Sequence, residues 1–492
     1  MAFTEPTDGH GARPAIVGGR GVNTHADLAA AAARVAASLA GPSGDASGAR
    51  VALLIAPGFE FAAVLRGVWR AGAVAVPLAV TDPAAELDYV LRDSGADTLV
   101  TGQGFAHAIA PLAAAADVRL CTTDDLLETA PNDLSPVADG RRALIVYSSG
   151  TTARPKGVVL THANVAAHVD SLTSAWAWSA HDRTLLVLPL HHVHGLINVL
   201  CCAMGAGACC EMPPRFDAGA TWARLASGEI TVFTAVPTIY HRLIAAWEAA
   251  PEGLRRVWSA GARRARVMMS GSAELPTAML ERWQEITGQL LLERYGLTEA
   301  GMVLSNPLDG ERRPGHVGLP LPGVDVRLID EQGGLAATGE SGEVEVRGPG
   351  VFLEYWRQPE LTRAAFHDGW FRTGDVAVLD EDSYRLLGRL SVDIIKSGGY
   401  KISALEIEDA LRAHPAVADC AVVGAPDPRW GDRVCAAIEL RAGAALSLEE
   451  MQGWVQRRLS PHKVPKDLRC VPALPRNAMG KVVKPQVSAW FK

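Results

Sequence analysis

The sequence predicts an α/β protein. It has a large N-terminal domain of sheets flanked by helices, with a small β-barrel-like part, and then a small α+β domain. Three observations carry this. Short apolar runs and helical segments alternate from residue 26 to 101, as in a mostly parallel sheet covered by helices. From about Gly315 short alternating strands dominate, punctuated by Gly and Pro. Near Gly388 the character changes again, which divides the chain into residues 1–389 and 390–492.

The elements follow in order. Residues 26–39 are alanine-rich and read as a helix, and 51–55 form a short apolar run, hence a buried strand. Residues 59–70 read as a helix, 73–78 as a strand, 84–92 as a helix and 98–101 as a strand. The alternation resumes with a strand at 143–147, a helix after Thr161 and a strand at 184–188. The strands 324–328 and 342–346 belong to the later all-β stretch. The last region offers a helix at 404–413, strands at 420–423 and 434–440, and a helix from Ser447.

A chain of 492 residues can bury large cores without disulfides or metals. Its net charge of −7 argues against a nucleic-acid or membrane-surface role, which needs a basic face. Cys201, Cys202, Cys209 and Cys210 lie among small apolar residues with no C-x₂-C spacing, so they read as reduced, buried side chains. The uncharged stretch 195–210 is too short and glycine-rich to span a membrane. The N-terminus has neither an apolar signal core nor an Arg-rich presequence, so a cytoplasmic enzyme is expected. Nothing in the sequence reads out an oligomeric state.

The segment Tyr147-Ser-Ser-Gly-Thr-Thr-Ala-Arg-Pro-Lys-Gly157 is the most informative. It follows an apolar strand and is expected to lead into a helix. Ser148, Ser149, Thr151 and Thr152 supply hydroxyls, Gly150 lets backbone N–H groups converge, and Lys156 adds a charge. That is a phosphate cradle. A P-loop is excluded: Lys156 precedes its glycine, and no Ser or Thr follows to hold magnesium.

This loop resembles that of the adenylate-forming enzymes, which comprise acyl-CoA synthetases, luciferases and the adenylation domains of peptide synthetases. Ala153 stands where a third glycine is usual. Four further segments resemble family motifs in the family's order: Ser270-Gly-Ser-Ala273, Tyr295-Gly-Leu-Thr-Glu299, Arg372-Thr-Gly-Asp375 and Pro475-Arg-Asn-Ala-Met-Gly-Lys481. Gly388-Arg389 resembles the start of the family's inter-domain segment.

The resemblance implies ATP, Mg²⁺ and coenzyme A as reactants and cofactor. It implies that Gly271, Ser272 and Ala273 line adenine, with Glu293, Arg294 and Gly296 in the same nucleotide set. Tyr295 would stack on adenine, Thr298 would bind phosphate, and Glu299 would hold Mg²⁺, as a carboxylate suits a hard cation. Asp375 would take the ribose hydroxyls, and Arg389 the ribose or phosphate. Lys481 would reach the substrate carboxylate and the α-phosphate. In the family the small C-terminal domain is mobile and rotates between two half-reactions. Lys396, Gly398, Gly399 and Tyr400 would then face coenzyme A. The hinge falls at Ser391 or Asp393.

Residues 188–196 and 236–243 and the run IIKSGGYKISALEIE resemble malonyl-CoA synthetases. That implies malonate, with methylmalonate as a second acid. Malonate keeps a carboxylate that cannot be buried alone. Arg242 is expected to bind it, His194 to add a hydrogen bond, His192 to act at the acyl pocket and Met302 to close it. A short- or medium-chain acyl-CoA synthetase, an aryl-CoA synthetase and a stand-alone enzyme that loads a carrier protein remain as alternatives.

Overall fold

In the computed structural model the described residues are 10–19, 21–148, 155–397, 400–476 and 481–491. The early alternation builds two sheets rather than one. In the first, Arg50–Leu54 pairs in parallel with Val74–Pro77 and Thr98–Thr101, and Val74–Pro77 lies beside Arg142–Ser148. The second has nine strands, with Arg183–Leu185, Cys209–Glu211, Val232–Ala235, Val267–Ser270 and Leu292–Leu297 parallel within it. The chain passes from the first to the second through the helix His162–Ala175, whose Val165, Val169 and Leu172 lie in a core shared by both sheets. A period of alternation reports strands and helices, but not which sheet a strand joins.

The helix expected after Thr161 begins there, but a strand not expected from the sequence precedes it. Arg142–Ser148 pairs antiparallel with Lys156–Thr161, with Ser148 opposite Lys156, and the helix starts only at His162. The run GVVLT is β-branched and apolar, which favours the strand.

The third sheet is a half-barrel of antiparallel strands. It includes Asp325–Ile329, Ser341–Arg347, Trp370–Asp380 and Ser383–Arg389. The fourth contains Ile394–Ser397, Tyr400–Ser403, Val417–Asp427, Gly431–Leu440 and Asp467–Val471. It has its own core, in which Ile395, Ile402 and Val422 meet Ile407 of the helix Ala404–Arg412 and Met451 of the helix Leu448–Gln456. The fold is therefore mixed α/β, with a large N-terminal portion and a smaller C-terminal one. All eight cysteines are unpaired thiols, and Cys201, Cys202, Cys209 and Cys210 are buried.

Candidate active site

The parallel strands of the nine-stranded sheet end in loops that gather the motif residues, the usual place for ligands in open α/β sheets. Tyr295 is buried on Leu292–Leu297, and its hydroxyl donates to Asp375 Oδ2 at 2.6 Å. Asp375 lies opposite Arg389 across two paired strands, and Arg389 Nε donates to Asp375 Oδ1 at 3.0 Å. The carboxylate is thus fixed from two sheets. Glu299 sits in the turn after Tyr295 with Thr298 beside it, half-buried. Its Oε1 accepts from the Tyr355 hydroxyl at 3.0 Å, and burial raises its pKa. The Lys156 ammonium stands 5.5 Å from the Tyr355 ring centre, which places the base of the phosphate loop on the same tyrosine as Glu299.

Lys481 comes to this cleft from the other end of the chain. It meets solvent, yet the surrounding protein, with Arg389 as a like charge, lowers its pKa, while Asp375 opposes the shift. Its charge also reaches His192, which desolvation, His191 and Lys481 together push down to about 3. His192 precedes a short helical turn that continues as a π-helix, Leu196–Cys201. Such π segments are frequent at functional sites.

His194 is buried beyond His192. Its Nδ1 lies 3.1 Å from Ser272 Oγ, and its Nε2 lies 2.9 Å from Thr234 Oγ1 and also meets Arg294 Nη2. A guanidinium only donates, so Nε2 accepts and the imidazole is neutral. Desolvation and the Arg294 charge keep it so. Close approach is required at two glycines. A Cβ on Gly271 would stand 2.1 Å from Arg294 Nη1, and one on Gly296 would stand 2.4 Å from Met302 Cε.

The structure therefore brings together Lys156, Gly271, Ser272, Tyr295, Gly296, Glu299, Met302, Asp375, Arg389, Lys481, His192 and His194. Ser148 is the last residue of its strand. Ala273 is exposed in the same loop as Ser272. Glu293 is buried with its side chain on a different partner, the Gly315 N–H at 2.9 Å, and burial raises it to about 8. Two assignments change place. Arg242 is exposed on the helix Pro237–Ala249 with its guanidinium 4.6 Å from the Phe216 ring centre, outside this group. Arg294, grouped with the nucleotide set by motif proximity, instead lies with His194. Thr234 was missed, because an apolar strand gave no sign of a polar duty.

Lys396 and Tyr400 are exposed outside the cleft: Lys396 pairs with Glu331 at 3.7 Å and Tyr400 stacks on His462 at 4.3 Å. Ser149, Gly150, Thr151, Thr152, Gly398 and Gly399 lie outside the described residues. Of the two hinge candidates, Asp393 accepts from the Arg389 N–H at 3.0 Å and from Lys484 Nζ at 2.5 Å. Among the described residues no group of three His, Cys, Asp or Glu is placed to hold a metal ion. A magnesium shared with nucleotide phosphates needs only one protein carboxylate, and Glu299 fits that requirement.

Known proteins share this chain's sequence and fold. The AMP-binding enzyme family matches residues 3–356, and its C-terminal domain family matches residues 406–481. The mitochondrial malonate–CoA ligase of Xenopus laevis is 42% identical over 97% of this chain and 90% of that protein. ATP-bound MatB from Rhodopseudomonas palustris is 33% identical, with a TM-score of 0.90 over 100% of this chain and 98% of that one. A malonyl-CoA ligase in a ternary product complex with methylmalonyl-CoA and AMP is 37% identical, with a TM-score of 0.71 over 96% of this chain and 99% of that one. The chain belongs to the AMP-binding enzyme family, as an acid–thiol ligase with the malonate–CoA ligases among its close relatives.

The comparison also corrects the expected cytoplasmic location. The frog, mouse, cattle and human malonate–CoA ligases that match are all named as mitochondrial. Thiol state and net charge are blind to this difference, since both compartments are aqueous and keep thiols reduced. No helix among the described residues is long and apolar enough to cross a membrane.

Proposed function

We propose that the protein makes malonyl-CoA from free malonate, ATP and coenzyme A, releasing AMP and pyrophosphate, with methylmalonate as a second acid. The observation that carries this is the line from Lys481 through His192 and His194 to Arg294, which gives a short acid a cation at each end. A monocarboxylate would leave the inner cation buried without a partner.

In the first step a malonate carboxylate oxygen attacks the α-phosphorus of ATP, and pyrophosphate leaves. Lys481 and Arg389 face the charge that builds there, and such fixed cations favour the transition state over the ground state. Asp375, held by Tyr295 and Arg389, takes the ribose hydroxyls. Mg²⁺ on Glu299 would neutralise the phosphates. The loop Ser148–Gly157, with Ser149, Gly150, Thr151, Thr152 and Lys156, cradles the leaving pyrophosphate. In the second step the coenzyme A thiol attacks the acyl carbon and AMP departs with the bonding electron pair.

Residues 390–492 form the mobile part, turning at Asp393 to withdraw Lys481 and present Lys396, Gly398, Gly399 and Tyr400 to coenzyme A. The anchoring of Asp393 by Arg389 and Lys484 supports it over Ser391.

Pyrophosphate release over a panel of acids, with and without coenzyme A, tests the reading. Malonate should far exceed acetate, butyrate and octanoate. Butyrate at comparable rates would overturn it.

A further inference from the structure

A buried ring wedges under the turn that carries Glu299. His168 lies on the helix His162–Ala175 and is only 5% exposed. Its Nε2–H donates to the Gly350 carbonyl at 2.7 Å, and the Ala300 carbonyl is a second acceptor within reach of the ring. Nδ1 has no partner among the described residues. Burial lowers its pKa to about 4, so the ring stays neutral and acts through its shape and one N–H. Two glycines make room for it. A Cβ on Gly301 would stand 2.5 Å from Nε2, and one on Gly350 would stand 2.6 Å from Cδ2. Gly301 also has φ +66°, so its turn needs a glycine on two counts.

The turn 298–301 and the strap 349–355 are locked together around this ring. The Phe352 N–H donates to the Glu299 carbonyl at 2.7 Å, and the Tyr355 hydroxyl donates to the Glu299 carboxylate at 3.0 Å. The same helix holds the strap from its other side: Asn164 Nδ2 donates to the Pro349 and Val351 carbonyls at 2.7 and 2.9 Å. The strap also pairs with the strand Lys156–Thr161, with Tyr355 opposite Val158. The helix that follows the phosphate-loop strand thus fixes Glu299 through both its backbone and its carboxylate.

We infer that His168 is a positioning residue for Glu299, holding turn and strap at the spacing that lets the carboxylate meet a magnesium carried on the nucleotide phosphates. This rests on the magnesium role read for Glu299 above and adds a residue to it. Mg²⁺ demands near-ideal octahedral geometry, so a ligand carried on a turn has to be set from outside that turn. A ring seated between two glycines on a rigid helix does this.

The test uses the full-length enzyme as wild type, His168→Leu and His168→Gln. Leucine fills the space without a donor, whereas the glutamine amide stands near the place of Nε2 and donates to the same carbonyls. ATP binding is measured by calorimetry with Mg²⁺ and with EDTA, and the two half-reactions are assayed apart. His168→Leu should weaken ATP binding about 10-fold with Mg²⁺ and leave it unchanged in EDTA. It should slow malonate-dependent pyrophosphate release about 10–100-fold and spare thioester formation from supplied malonyl-adenylate. His168→Gln should recover most of both losses. An equal loss of ATP binding with and without Mg²⁺, a parallel loss of both half-reactions, or a glutamine variant no better than leucine would overturn the inference. If His168→Leu does not fold by circular dichroism, His168→Asn replaces it, since its shorter amide falls short of the carbonyls, and the same outcomes decide. A wild type that binds ATP equally with and without Mg²⁺ would sink the magnesium role of Glu299 itself, a failure seen before any variant is made.

Discussion

Two buried clusters of charge sit on opposite sides of the inter-domain segment, and they are built to different rules. In the C-terminal portion Lys484 Nζ bonds Asp393 Oδ1 at 2.5 Å and Glu408 Oε1 at 2.8 Å. Arg412 contacts Glu408 at 3.3 Å, Asp419 at 3.1 Å and, from the other portion, Glu274 at 3.4 Å. Every charge there has its opposite, and the carboxylates raise Lys484 despite its burial. Among the described residues no carboxylate pairs with Arg294, and burial lowers it. The contrast teaches how to read buried charge: the opposite charges around Lys484 keep it ionised, whereas burial alone acts on Arg294.

The contrast can be broken or sharpened by substitution. The largest effect belongs to Lys481→Ala, which should slow adenylation on the order of 10²–10³-fold in a pyrophosphate-release assay. The same variant should keep thioester formation from supplied malonyl-adenylate, and a parallel loss of both half-reactions would refute the two-conformation scheme. Next is Lys484→Met, which removes the cation from Asp393 and leaves Glu408 with Arg412 alone, and should destabilise the C-terminal portion by about 3 kcal/mol in chemical denaturation. An unchanged midpoint would mean that the paired cluster is not structural.

Asp375→Asn weakens the bonds from Tyr295 and Arg389, and should raise KM for ATP by about 10-fold or more. The smallest effect is one of pH. Glu293 is raised to about 8 by burial, with Glu274 and Asp409 adding to the shift. A folded pKa above the unfolded one gives stability that is complete below the unfolded pKa, near 4.5, and lost as pH rises through about 8. The Tm of the wild type should therefore fall across that window, and Glu293→Gln should flatten the fall. A Tm profile unaltered by Glu293→Gln would show that this carboxyl is not the source.

Much of this molecule was legible in its sequence. The helix Phe59–Arg70 and the strand Thr98–Thr101 were read to the residue, because hydrophobic period and length settle such elements locally. The order of motifs gave the chemistry: hydroxyls and glycines at Ser148–Gly157, a carboxylate at Glu299 and a distal lysine at Lys481 are types that only certain reactions require. Tertiary structure decided the rest. It split one alternating pattern into two sheets and put a strand between the phosphate loop and its helix. It also left Arg242 exposed over Phe216 and set Arg294 against His194. Those outcomes turn on which face of a strand or helix is buried against what, and two arginines of equal charge look alike until the fold leaves one on the surface and the other without a partner inside.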